Sequence, residues 1–152
     1  MQEYISYKNI QIAFTVEGKG KTIVLLHGFL ESSSIWKNIV SAFKETHQVI
    51  TIDLLGHGKT DKLGYIHSME TMAETVNAVL AEMKVEKASF IGHSMGGYVV
   101  LAFAEKFPQK IEKLILLNST TVADSEERKE NRDRAKRLVK QNKQAFISMA
   151  IK

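Results

Sequence analysis

Gly92-His93-Ser94-Met95-Gly96 fits the pattern G-x-S-x-G. It follows the apolar run Ala88–Ile91 and opens a stretch, Met95 to about Phe107, that is apolar almost all round. A serine at a sharp strand-to-helix turn can present its hydroxyl as a nucleophile. Gly92 and Gly96 allow the close approach that such a turn needs. The helix start adds backbone N–H donors and a positive dipole end beside the hydroxyl. A turn that merely needs small side chains would read the same way, and the pentapeptide alone does not separate the two. Phosphate binding is the weaker option, because no G-x-x-x-x-G-K-[ST] is present and no G-x-G-x-x-G opens the first βα unit. A nucleophilic serine also needs a base, usually a histidine that follows it in the chain. The last histidine here is His93, one residue before the serine.

A second motif, His27-Gly28-Phe29, ends the continuous apolar run Thr22–Leu26. A developing oxyanion needs two N–H donors. One is expected from Met95, the residue after the serine, and the other from Phe29. His27 reads as a support for its loop rather than an acid–base group, and Gly28 as structural. The third motif is Asp53-Leu54-Leu55-Gly56-His57-Gly58-Lys59-Thr60. Asp53 could be mistaken for a catalytic acid, but an Asp at a strand end commonly binds the backbone of its own turn. Asp53 and His57 are therefore read as structural, and His47 and His67 carry no motif. Phe29 and Tyr98 are the candidate substrate contacts. Core packing is the plainer role for both, as for Trp36 and Phe146.

The elements that must position these motifs alternate. Tyr4–Val16 holds two short strands around Lys8-Asn9. Thr22–Leu26, Gln48–Ile52, Ala88–Ile91 and Lys113–Asn118 are apolar enough for strands buried on both faces. Between them lie helical patterns: Ile35, Trp36, Ile39, Val40 and Phe43 after an N-cap among Ser32–Ser34, then Met69 to Met83 behind Ser68, then Met95 to Phe107 with Pro108 at its end. This alternation predicts an α/β fold: a mostly parallel sheet with helices on both faces and an antiparallel edge from the first two strands.

Composition excludes several classes. With no cysteine there is no disulfide framework, thiolate metal site or cysteine nucleophile. No secretory pattern opens the chain, and no apolar run approaches the length of about 18 residues that a membrane span needs. Cytoplasmic location, with neither membrane nor nucleic acid as partner, is the expectation. The net charge of +4 is uneven. Residues 126–152 carry nine Lys or Arg and four Asp or Glu, which leaves residues 1–125 at −1. A nucleic-acid binder would show a basic body. Neither metal nor cofactor is implied, and a small-molecule substrate is the expected partner.

After Ser119 the character changes. Asp124 and Glu127 form a capping-box pattern. Ala135, Leu138, Val139, Phe146 and Met149 follow on one helical face up to Ile151-Lys152. The expected organisation is a core over 1–122 and the start of a helical cap over 123–152.

In this order and spacing, HGF, DLLGHGKT and GHSMGG resemble the α/β-hydrolase superfamily, from about Tyr4 to Ser119. The resemblance implies an oxyanion loop, the turn after the fourth strand, and a nucleophile elbow. It implies an acid after a seventh strand and a histidine after an eighth, both beyond Lys152, with Asn118 standing where some relatives place the acid. The chain would then be the N-terminal part of a larger hydrolase, truncated after strand 6. Alone it would be inactive, and its strand 6 edge would be open to the missing half or to self-association. The serine argues against the haloalkane dehalogenase and epoxide hydrolase branches, which use aspartate at that point.

Two functions follow. One is a serine hydrolase acting on a small ester, lactone or related carbonyl compound through an acyl-enzyme. The same apparatus serves C–C bond hydrolases and a menaquinone-pathway synthase. The other is a non-catalytic ligand-binding member or pseudo-enzyme. A histidine further along the gene discriminates between them.

Overall fold

A computed structural model describes residues 1–150. It contains two compact units, Met1–Thr120 and the segment from Thr121 onward. In the first, six strands form one sheet: β1 (Gln2–Tyr7), β2 (Ile10–Glu17), β3 (Lys21–Leu26), β4 (His47–Ile52), β5 (Ala88–His93) and β6 (Ile111–Leu117), in the order β1-β2-β4-β3-β5-β6. β1 and β2 are antiparallel, and β4, β3, β5 and β6 are mutually parallel. The β1–β2 turn places Lys8 at φ 46° and Asn9 at φ 65°, the doubly left-handed geometry that matches hairpin twist.

The continuous apolar strands have a direct structural counterpart. Successive side chains of β3 leave opposite faces of the sheet. Val24 and Leu26 join one core with Ile50, Ile52, Phe90 and the helices α2 (Met69–Glu82) and α3 (Met95–Lys106). Ile23 and Leu25 join the other with Val49, Trp36 and Val40 of the helix α1 (Lys37–Phe43). Both faces are covered, so neither face of β3 carries a polar residue between Thr22 and Leu26.

Four local expectations need correction. The first helix does not begin regularly at the serines. Ser33–Trp36 is a 3₁₀ turn and Ser32 makes no side-chain cap bond. Ile35 is exposed there, and Trp36 anchors the turn in the core. Ser68, by contrast, caps α2 by accepting from Thr71 N–H. The strand expected over Lys113–Asn118 is not buried on both faces. β6 lies at the sheet edge, and Ile115 and Leu117 are exposed at 53% and 43%. Asn118 has left the strand, at φ 48°.

In the second unit the cap is Ser125, which accepts from Arg128 N–H. Asp124 binds Arg132 instead of capping. The single expected helix is two, α4 (Glu126–Gln141) and α5 (Lys143–Ala150), separated at Asn142. α4 buries no residue and its mean hydropathy is strongly polar, so its identity rests on capping and on charge pairs such as Lys129–Glu126. The Met149 side chain and Ile151-Lys152 lie outside the described residues. No helix among the described residues is long and apolar enough to cross a membrane.

Candidate active site

Ser94 stands between β5 and α3 with φ 50° and ψ −114°. A residue bearing a Cβ rarely adopts this geometry, and holding it costs roughly 1–3 kcal/mol. The surroundings enforce it. Ser94 N–H donates to Leu117 O at 2.9 Å, and Ser94 O accepts from Gly97 N–H at 3.0 Å. Ser119 Oγ–H donates to the same carbonyl at 2.9 Å. The Ser94 hydroxyl itself has no hydrogen-bond partner among the described residues.

The glycines matter for close approach. A methyl group on Gly96 would stand 2.3 Å from Leu26 O and 2.7 Å from His27 O. On Gly92 it would stand 2.6 Å from Gly97 N and Cα. Backbone atoms cannot yield as a side-chain tip can. The first turn of α3 is therefore pressed against the end of β3, which brings the Phe29 loop and Ser94 together.

His27 is fully buried at that strand end. Leu54 N–H donates to its Nε2 at 3.0 Å, so the ring proton sits on Nδ1, which donates to Gly28 O at 2.7 Å. Burial holds its pKa below the usual histidine value. It is a neutral scaffold residue with both nitrogens committed. Asp53, also buried, accepts from Ser33 N–H at 2.7 Å and from Lys59 N–H at 2.9 Å. It ties the loop after β4 to the turn before α1. The His57 ring lies beside His27, tilted at 55° with centroids 5.3 Å apart, and meets the Phe29 ring edge-on.

The two expected oxyanion donors share one design. A peptide is planar, so fixing a carbonyl fixes the N–H of the next residue. Gly28 O, held by His27 Nδ1 and by Glu31 N–H at 3.4 Å, sets the direction of Phe29 N–H. Ser94 O, held by Gly97 N–H and Ser119 Oγ–H, sets the direction of Met95 N–H. Neither Phe29 N–H nor Met95 N–H has an acceptor among the described residues. Met95 is also the first residue of α3, where the N–H groups lack intrahelical partners and the dipole is positive.

Of the two substrate candidates, Phe29 is 55% exposed and does not pack in the core, against expectation. A loop residue after a buried strand end has no layer above it to enter. Tyr98 is half-buried on α3. Trp36 is core. Three participants escaped the sequence reading: Glu31, Gly97 and Ser119. Glu31 Oε2 accepts from Gly28 N–H at 2.6 Å and from His93 Nδ1–H at 2.9 Å. A methyl group on Gly97 would meet Ser119 Oγ at 2.3 Å. Only the double glycine after Met95 signalled the last of these contacts.

No group of three potential metal ligands occurs among the described residues. A cleft of about 550 Å³ lined by Ser32, Ser33, Lys37, Lys44, Thr51 and Lys59, among others, does not include Ser94. The strained turn is the better guide to chemistry, because a strained residue needs a reason and a cleft of surface hydroxyls does not.

A parallel sheet with a strained serine at its strand-to-helix turn, faced by a glycine loop from the neighbouring strand, defines a class, and comparison with known proteins agrees. Residues 21–148 match the family described as alpha/beta hydrolase fold, and the chain belongs to that family. It is 30% identical over 122 residues to a cis-3-alkyl-4-alkyloxetan-2-one decarboxylase of Shewanella oneidensis, covering 78% of this chain and 38% of that protein. It is 34% identical over 123 residues to a 2-hydroxy-6-oxononadienedioate/2-hydroxy-6-oxononatrienedioate hydrolase of Paraburkholderia phymatum, covering 77% and 43%. A thermophilic esterase from Thermogutta terrifontis, solved with malate bound, superposes with TM-score 0.88 at 31% identity, over 99% of this chain and 57% of that one. The chain spans less than half the length of these two curated relatives.

Proposed function

We propose that Ser94 is the nucleophile of a serine hydrolase acting on a small ester, lactone or related carbonyl compound. The observation that carries this is the strained backbone of Ser94 at the start of α3, with a hydroxyl that serves no structural bond. In the reaction, Ser94 Oγ attacks the carbonyl carbon and passes its proton to a base. The carbonyl oxygen becomes an oxyanion between Phe29 N–H and Met95 N–H. Collapse expels the alcohol, which takes the proton, and water then cleaves the acyl-enzyme. Each donor contributes on the order of 10²–10³ in rate.

The base and its acid come from residues outside this sequence. Of its histidines, His27 is neutral and committed at both nitrogens, and His93 Nδ1 is turned to Glu31. His67 Nε2 accepts from Leu63 N–H, His57 Nδ1 bonds Leu55 O, and His47 Nδ1 bonds Thr46 Oγ1. None is bonded to Ser94. The 152-residue chain alone is therefore expected to turn over nothing. In the protein as encoded, hydrolysis of p-nitrophenyl butyrate and labelling by a fluorophosphonate should both vanish in Ser94→Ala. Unchanged activity in that variant would refute the assignment.

The similarity to a hydrolase of 2-hydroxy-6-oxo compounds favours C–C bond cleavage as the second reading. A vinylogous 1,5-diketone would then be turned over in preference to the ester.

A further inference from the structure

We propose that Glu31 is a positioning residue that locks the Phe29 N–H against the nucleophile turn. The inference rests on the reading of Ser94 as nucleophile. One carboxylate oxygen, Oε2, joins two elements far apart in sequence. It accepts from Gly28 N–H at 2.6 Å in the loop after β3, and from His93 Nδ1–H at 2.9 Å at the end of β5, the residue before Ser94. A carboxylate only accepts, so the His93 proton must sit on Nδ1.

The packing around this bridge is tight. A methyl group on Gly28 would stand 2.7 Å from Glu31 Oε2, 3.1 Å from His93 Nδ1 and 3.2 Å from Ser94 Cβ. Loop and turn are thus in contact where the carboxylate clamps them. The loop does not hold its own shape cheaply. Leu30, between Phe29 and Glu31, sits at φ 62°, a region that a bulky residue avoids. Glu31 binds Gly28 from both sides, N–H to carboxylate and O to Glu31 N–H. The Phe29 N–H lies in the peptide plane between Gly28 and Phe29, and Glu31 holds the Gly28 side of that plane.

The pair is also well placed electrically. A bare carboxylate beside a forming oxyanion would oppose it. Here two N–H donors face the carboxylate oxygen, so its charge is satisfied within the scaffold. Both side chains are partly exposed, at 22% and 29%, and such pairs add little to stability. What the bridge supplies is register between the donor loop and the nucleophile. Displacements of about 1 Å at a reacting centre cost about 10²-fold in rate.

The test uses the full-length protein carrying this sequence, with p-nitrophenyl butyrate as the probe ester. Ser94→Ala comes first. If hydrolysis survives it, the serine reading fails and this inference with it. If hydrolysis is lost, Glu31→Ala is expected to lower kcat by about tenfold to a hundredfold with KM within about threefold, the pattern of an interaction made in the transition state. Glu31→Gln keeps an acceptor oxygen for Gly28 N–H and should recover most of kcat. Amide hydrogen exchange at Gly28 should quicken in Glu31→Ala and stay slow in Glu31→Gln, with β3 and β5 unchanged. An undiminished kcat in Glu31→Ala overturns the proposal while leaving the serine reading intact. Equal damage in Glu31→Gln overturns it in favour of a role for the charge. Exchange that quickens across the whole sheet overturns it in favour of a folding role.

Discussion

Ser119 Oγ–H donates to the carbonyl oxygen of Ser94 at 2.9 Å, so a residue just beyond β6 holds the peptide whose N–H belongs to Met95. Removing that hydroxyl leaves the Ser94 carbonyl with Gly97 N–H alone. Ser119→Ala should cost about 1 kcal/mol in stability. On the proposed function it should also lower kcat with little change in KM, because the donor it aims would act on the oxyanion. Urea unfolding followed by the single, buried Trp36 measures the first effect, and steady-state ester hydrolysis by the full-length protein the second.

Gly96 and Gly64 separate close packing from backbone conformation. Gly96→Ala drives a methyl group to 2.3 Å from Leu26 O, a backbone atom at the C-terminal end of the central strand β3. A loss of about 3 kcal/mol is expected, at the upper end for overpacking. A methyl group at Gly64 meets nothing within 4 Å, but the residue sits at φ +75°. Gly64→Ala should cost only about 1 kcal/mol, from left-handed backbone strain. Equal midpoints for the two variants would contradict the packing described here.

Ser94→Gly is expected to make the protein more stable and catalytically dead. A glycine adopts φ 50° and ψ −114° freely, relieving roughly 1–3 kcal/mol of strain. The opposing cost, greater freedom of the unfolded chain, is about 0.5–1 kcal/mol. Thermal unfolding should rise by several degrees relative to Ser94→Ala, which keeps the strain. A lower midpoint for the glycine variant would show that the turn is relaxed.

His27 makes stability depend on pH in a defined direction. Its pKa when folded lies below its ordinary value of 6.5 because burial disfavours the cation. Between those two values the unfolded chain holds a proton that the folded chain does not, so stability rises with pH across that window. The contribution is complete above 6.5 and declines as the pH falls below it. His67, lowered chiefly by desolvation, adds in the same sense. His27→Gln should be less stable at pH 7.5, since one amide cannot reach both Gly28 O and Leu54 N–H, but its urea midpoint should fall less between pH 7 and pH 5. Parallel pH profiles for the two proteins would show that His27 is not the buried neutral group.

The sequence by itself determined the alternation of strands and helices, the antiparallel first hairpin, and the serine turn. These depend on neighbours in the chain: unbroken apolar runs mark strands covered on both faces, and glycines mark the tight turns. The apolar run of β6 did not by itself mark an edge, since an apolar strand reads alike whether or not a neighbour covers it. Only the family resemblance, which implies further strands beyond strand 6, anticipated the open edge that the sheet order has. The sequence put a capping box at Asp124 where Ser125 caps: Asp and Ser are equally good N-cap residues, Glu127 three places on pointed to Asp124, and only backbone geometry chooses. Above all, it left Glu31 and Ser119 unmarked and gave Gly97 no role beyond the second glycine of GHSMGG. Each acts on a group brought to it by the sheet: Glu31 on His93 across 62 residues, and Ser119 on Ser94 across 25. Contacts of that kind come into being only when β3, β5 and β6 lie side by side, so tertiary structure decided them.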